Sequence, residues 1–408
     1  MAIVTKQNVA TVAGQAIAKT PVLQLVNSQL DKEFGNASGD TVYARVNGYG
    51  TVKEGETDFT AGELAIDQAK VPVTVGRIAT AAQVSTVDNA IKIDNFKADV
   101  AEPRGANLAE TVNQKIVAAG LAGATQSLVV GFDSTNGIQK INYAALSYGI
   151  AAMRQAKMEG SLSGILPAMM HAAIVGSSAS NGFTPAEKFA NIAFEGELGR
   201  FNKTDFVEVE TGVLTTGSAV AAASTIAIAE PVNDQPYSIA TITSGAFDNI
   251  AVGTVMYLAA GAAPLYACNA FGVSTGNRFT VKYLGAIDAT HIKVTPVYFS
   301  GANKNVACST ALSSATALTT SAAMTASKTY YQGLLFNKND LLWCAKAVMP
   351  MQSNEKASAN VVIPGVPLTM SIVPADQGRS EIVRWDFLGG AKSLRGIATI
   401  GVYSQAAA

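Results

Sequence analysis

The chain has 408 residues, with 29 Lys plus Arg against 30 Asp plus Glu and a net charge of −1. Charged residues make up 14% and hydrophobic ones 49%, which excludes a basic nucleic-acid binder, an acidic solvating tail and wholesale disorder. A chain this long spans two or three domains and buries a large core without disulfides or metals.

In chain order, the first segment, MAIVTKQNVATVAGQ, has no long apolar core and does not read as a signal peptide. PVLQLVNSQL (21–30) reads as a short helix, and TVYARV (41–46) and VPVTVGRIA (71–79) read as two strands. Between them lies a long hairpin excursion with Gly48, Gly50, Gly55 and Gly62 and a dense charge cluster: Lys53, Glu54, Glu56, Asp58, Glu63 and Asp67. Such an excursion cannot build a core, but it can lie on a neighbour.

A helix follows from Pro103, with Leu108, Val112, Ile116 and Ala119 on one stripe; Gly120 and Gly123 weaken its end. A second helix spans about 142–158, with Leu146, Ile150 and Met153 on one face. Thr184-Pro185-Ala186-Glu187 has the form of a capping box and starts a third helix carrying Phe189, Ile192 and Phe194. DFVEVE (205–210) alternates as a strand.

The charge density then falls: residues 211–330 carry nine charges in 120 positions, against 50 in the other 288. This module reads as β, from SIATITS (238–244), TVMYLAA (254–260), RFTVKYLGAI (278–287) and HIKVTPVYF (291–299). Its Ala/Ser/Thr-rich flanks, SAVAAASTIAIA and STALSSATALTTSAAMTAS, read as linkers or edge strands. The charge-free stretch 249–277 is not a membrane span, because Gly253, Gly261, Pro264, Asn269 and Gly272 interrupt it. Strands return in NVVIPGVPLTMSIVPAD, SEIVRWDFLGG and LRGIATIGVYSQ. In SEIVRWDF, Glu381, Val383, Trp385 and Phe387 share one face and Ile382, Arg384 and Asp386 the other, as in a half-buried strand. The fold class is α+β with an inserted β module, because helices and strands do not alternate.

No catalytic constellation emerges. There is no P-loop and no GxGxxG, and GSLSG places Leu162 where a nucleophile elbow needs Ser. His171 and His291 are packed or surface residues rather than catalysts. GFDSTNG starts like a calcium loop, but Ala144 stands where the closing carboxylate belongs, so it is a turn. Cys268, Cys308 and Cys344 form no CxxC pair, so neither zinc nor a disulfide framework is implied. The sequons at Asn36 and Asn202 are chance matches. No enzyme activity, metal or cofactor is expected, and the profile suits a building block.

The order of elements resembles the major capsid (coat) proteins of short-tailed, podovirus-type phages, whose tailed-phage capsid fold carries an inserted telokin-like β domain. DATHIKVTP (288–296) resembles that family's D-G-T-H-V-E-I-T-P stretch. The run VVIPGVPLTMSIVPADQGRSEIVRWDFLGG resembles its segment around S-I-P-D-V-G-L, and LRGIATIGVYSQ resembles its L-C-R-I-A-L-W-Y-G-V ending. The resemblance implies an N-terminal arm (1–38), an extended hairpin loop (39–80), a spine helix and peripheral domain (81–213), an inserted β-barrel-like domain (214–332), and an axial domain with returning peripheral strands (333–408). It implies a chain that self-assembles into pentamers and hexamers of an icosahedral shell. Scaffolding and portal proteins are then partners, packaged double-stranded DNA is contacted non-specifically, and no membrane is involved. The location is the virion, after assembly in the host cytoplasm. Arg45, Lys53, Glu54, Glu56, Asp58, Glu63 and Asp67 become the expected inter-subunit contacts. The alternative is a cell-surface or adhesion-type β protein, which would need an export signal.

Overall fold

The computed structural model describes residues 21–28, 41–47, 58, 68–85, 100–130, 132–133, 137–138, 141–156, 161–180, 200–209, 213–220, 224–229, 237–269, 271–298, 304–348, 357–363, 366–375, 380–394 and 400–405. The capping-box helix from Thr184 and the sequon at Asn36 lie outside them. The fold is α+β, with few helices and many strands. The chain divides into two compact units: Met1–Ala44, Pro72–Ile116 and Leu341–Lys392 form the first, and Arg45–Val71, Val117–Asp340 and Ser393–Ala408 the second.

The first unit is built on an antiparallel sheet. Ser380–Ser393 is its longest strand and pairs with Val366–Ala375 on one side and Gly76–Ser85 on the other; Ala357–Ile363 extends it, and Leu341–Ala347 also pairs with Ser380–Ser393. Val383, Trp385 and Phe387 are buried, as the alternation in SEIVRWDF requires, and Trp343 meets Phe387 edge-on with centroids 6.5 Å apart. The opposite face departs from the half-buried expectation, because Asp386 is fully buried. Arg77 donates to its Oδ2 from Nε at 3.1 Å and Nη2 at 2.7 Å, and Arg384 Nε lies 3.1 Å from the same oxygen. A carboxylate can be buried there because two guanidinium groups from one sheet face meet it. The short helix α1 (Pro21–Leu25) stops well before residue 30, and Asn27 instead bonds to the first strand after the second unit, donating to Leu341 O and accepting from Trp343 N, both at 2.9 Å.

Helix α2 (Glu102–Gly123) carries Leu108, Val112 and Ile116 on a buried stripe. Its two late glycines do not fray it. A Cβ at Gly120 would lie 2.3 Å from Leu334 Cδ2, and one at Gly123, the last helical residue, would lie 2.3 Å from Ser393 Cβ, so both glycines also permit close packing.

In the second unit a mixed sheet runs in the order Gln126–Val130, Ile400–Gln405, Thr329–Asn337, Leu162–Pro167, Thr204–Val209, Arg200–Phe201. The first pair and the pair Leu162–Pro167/Thr204–Val209 are parallel. Helix α3 (Tyr143–Gln155) packs Leu146, Ile150 and Met153 into the core beside this sheet, and Asn142 Oδ1 caps its start by accepting from Ala145 N at 2.8 Å. The run around His171 forms helix α4 (Ala168–Ser180).

The inserted module closes on itself. Val255–Ala260 pairs with Thr280–Ala286, then His291–Thr295, Ser238–Ser244, Thr225–Ile228 and Ala317–Ala322 follow, and the last pairs back to Val255–Ala260. All six ladders are antiparallel, so the ring is a barrel with its own core, including Ile226, Met256, Leu258, Phe279, Val281, Ile292 and Leu318. Within the flanks expected as linkers or edge strands, Thr225–Ile228 and Ala317–Ala322 are therefore barrel staves paired on both sides. Ile226 and Ile228 point inward by strict alternation, and so do Leu318 and Thr320, while Ala, Ser and Thr fill the outer positions.

A Cβ at Gly390 would lie 2.3 Å from the carbonyl oxygen of Thr74, and backbone cannot retreat as a side-chain end can. Gly390→Ala should cost about 2 kcal/mol by overpacking. Thermal or urea denaturation checks this; unchanged stability would show that the sheet is looser than described.

Candidate functional site

Two features stand apart from the two main sheets: the ladder formed by Thr41–Asn47 and Gln68–Thr74, and the barrel. The hairpin root is a two-stranded ladder, Thr41–Asn47 with Gln68–Thr74. Val42, Ala44 and Val73 are buried. Tyr43, 49% exposed, and Arg45, also exposed, alternate with them and share the opposite face. The root is anchored by one apolar face, which is what a two-stranded ribbon needs to persist. Of the expected contact residues, Arg45 lies on the outer face of the root and Asp58 is exposed. Lys53, Glu54, Glu56, Glu63 and Asp67 lie outside the described residues.

The barrel is tied to its unit twice. The chain leaves and returns through one antiparallel ladder, with Val213 opposite Gln332 and Thr216 opposite Thr329. Gly217 continues it, donating to Lys328 O and accepting from Ser327 N, both at 2.8 Å. The second tie is lateral. Thr280 N donates to Thr125 O at 3.1 Å, and the hydroxyls of Thr280 and Ser127 are 3.0 Å apart. Thr295 Oγ1 donates to Ala122 O in the last turn of α2, and Asn277 Nδ2 donates to Gln155 Oε1 on α3 at 3.2 Å.

Lys282 lies on the same outer side of its strand as Thr280. Val281 and Tyr283 point into the barrel core, so Thr280 and Lys282 share the outer side, and Lys282 stands opposite Thr295 in register. Burial pushes its ammonium group down to about 8. Sequence reading missed Thr125, Ser127, Thr280, Lys282 and Thr295. The one available signal was polar alternation in RFTVKYL, which tells that a face is outward but not that a second surface covers it.

Both histidines have carboxylate partners. His171 Nδ1 meets Glu208 Oε2 across α4 and the neighbouring strand, and His291 Nδ1 lies 2.9 Å from Asp288 Oδ2. Asp288 Oδ1 closes the hairpin turn by accepting from Thr290 N at 2.7 Å and His291 N at 2.8 Å. The Thr290 bonds, first from its backbone and then its hydroxyl, with His291 behind them, hold the Asp288 carboxyl down to about 2. Asn202 and Lys203 form a left-handed turn between Arg200–Phe201 and Thr204–Val209, so that sequon is a hairpin turn. Phe132–Asp133 pairs with Gly137–Ile138, so the calcium-like run is a small hairpin. Among the described residues no group of three or more His, Cys, Asp or Glu could hold a metal ion, and no helix is long and apolar enough to cross a membrane.

No family model matches the chain, and no curated protein does. Solved structures overlap it at length. A chain from Mycobacterium phage Che8 is 11% identical, with 93% of this chain and 89% of that one covered at a TM-score of 0.44. The capsid of cyanophage P-SCSP1u gives 12% identity, 90% and 84% coverage and 0.44. The capsid of Ralstonia phage GP4 gives 8%, 94% and 88%, and 0.44. At these values the overlaps assign neither family nor function.

Lys282 carries a pH signature. Unfolded, Lys282 keeps its proton to the ordinary lysine value; folded, it releases the proton near 8. The unfolded chain binds more protons between those values, so this residue adds stability as pH rises from 8 toward 10.5, by up to about 3 kcal/mol. Denaturation of wild type and Lys282→Met across pH 7 to 10 should show a rise in the wild type that the variant lacks; parallel curves would show that Lys282 stays solvated in the folded chain.

Proposed function

We propose that this chain is a capsid shell protein that tiles with copies of itself into the icosahedral head of a tailed double-stranded DNA phage. The observation that carries the reading is the anchored arm. Its root buries one face and exposes Tyr43 and Arg45 on the other. The excursion that springs from it, residues 48–67, is rich in glycine and charge. Such a segment gains nothing by staying on its own body, and gains contact area by lying on the next subunit.

The division of labour follows from the magnitudes. Exposed ion pairs are worth about 0–1 kcal/mol each, so Lys53, Glu54, Glu56, Asp58, Glu63 and Asp67 set register more than affinity. Many weak contacts sum to a stable shell while wrong ones dissociate. A near-neutral chain also avoids gripping DNA, which carries about one charge per 1.7 Å of duplex. In this reading the partners are other copies in pentamers and hexamers, scaffolding and portal proteins, and the packaged genome; assembly takes place in the host cytoplasm and the product is the virion. The segments then serve as N-terminal arm (1–38), extended loop (39–80), spine helix and peripheral domain (81–213), inserted domain (214–332) and axial domain (333–408).

Negative-stain microscopy of the expressed chain should show rings or closed shells, with a scaffolding protein aiding closure; monodisperse monomers in both conditions would end the proposal. Reversing Glu54, Glu56 and Asp58 together to Lys should abolish normal shells while leaving the melting transition unchanged. Normal shells from that variant would detach the arm from assembly.

A further inference from the structure

The barrel carries two exposed apolar patches on separate sheets. The first is formed by Val252, 63% exposed, and Ile287, 45% exposed. They belong to adjacent loops: Gly253 N donates to Tyr283 O at 2.8 Å, and a Cβ at Gly285 would lie 3.9 Å from Val252 Cγ2. The second is the turn of the three-stranded sheet, where Phe271 is 50% and Val273 59% exposed. A closed barrel leaves no free strand edge in its ring to add to, so any contact it makes there runs through side chains.

Charge separates the two patches. The module is poor in charge, yet Asp248 lies on the loop of Val252 and Asp288 directly follows Ile287; both are exposed. The Asp288 carboxyl is held ionised by its turn. Of the cations on neighbouring strands, Lys293 stands opposite Gly285 but turns its ammonium onto the Tyr237 ring at 5.0 Å, and Lys328 lies on the connecting ladder. At the other patch Lys304 lies against the turn, 3.3 Å from where a Cβ of Gly272 would sit. Arg278, at the far end of the adjoining strand, instead turns its guanidinium 4.9 Å over Tyr257. One patch is apolar beside two carboxylates; the other is apolar beside the Lys304 ammonium group.

We propose that the Val252–Ile287 patch of one copy seats on the Phe271–Val273 turn of a second copy, with Asp248 facing Lys304. Two different patches on one module make a heterologous contact, which propagates from copy to copy and closes into a ring, or runs on as a filament, rather than stopping at a dimer. Apolar centres supply the attraction, and the charged groups beside them reject like-with-like pairing. The contact rests on the shell reading and adds a second joint to it, independent of the arm.

The test uses the full chain. V252C and F271C variants, both in a Cys308→Ala background because Cys308 is only partly buried, are mixed and oxidised, each alone serving as control; Cys268 and Cys344 are buried and do not compete. A mixed disulfide dimer formed at least tenfold above the controls is expected. In sedimentation velocity, Asp248→Lys and Lys304→Glu should each weaken association at least tenfold, and the double charge swap in one chain should restore it, with circular dichroism confirming the fold. A wild-type chain that assembles while the mixture yields no mixed disulfide and the charge variants associate normally overturns this contact and leaves the shell reading standing. A wild-type chain that stays monomeric overturns both.

Discussion

Residues 213–216 and 329–332 lie side by side as antiparallel strands, and the whole inserted module hangs from that ladder. The chain can leave and return there because both ends sit on the same side of one sheet, with Thr329–Asn337 shared between Val213–Thr216, Ile400–Gln405 and Leu162–Pro167. An insertion whose ends are already adjacent adds little closure entropy to the host fold. The barrel can then close around its own core without the host sheet having to change.

A ladder alone would leave the barrel free to hinge. The lateral contacts of Thr280, Thr295 and Asn277 remove that freedom, and they do so with hydroxyl and amide groups rather than ion pairs. This matches a module with very few charges: small polar side chains let backbones approach and satisfy the carbonyls that the end of α2 leaves open. Gly120, Gly123 and Gly390 serve the same end elsewhere, each admitting a neighbour where any Cβ would collide. Close approach of small residues, more than electrostatics, positions the elements in each unit. The exception is Asp386, whose burial depends on Arg77 and Arg384.

In the proposed shell, the scarce charge is kept for surfaces that meet another copy. The arm holds the densest cluster, and the barrel keeps Asp248 and Asp288 beside one apolar patch and Lys304 beside another. If the proposed shell forms, weak contacts of opposite character repeated over many copies give it order without irreversible sticking.

Much of this was readable from the residues. The α2 stripe of Leu108, Val112 and Ile116, the buried face Leu146, Ile150 and Met153 of α3 and the strand Ser238–Ser244 all follow from local periodicity, which acts within a few residues. Of the candidate contact set, only exposure at Arg45 and Asp58 can be compared with the fold. Tertiary structure alone decided that Thr225–Ile228 and Ala317–Ala322 are barrel staves rather than linkers. It also decided that Gly120 is a packing position, that Asp386 is buried, and that Thr280 and Thr295 meet a second surface. The reason is one and the same. Periodicity reports which way a side chain points relative to its own backbone, whereas closure, close approach and burial depend on segments separated by tens to hundreds of residues, about which no local pattern carries information.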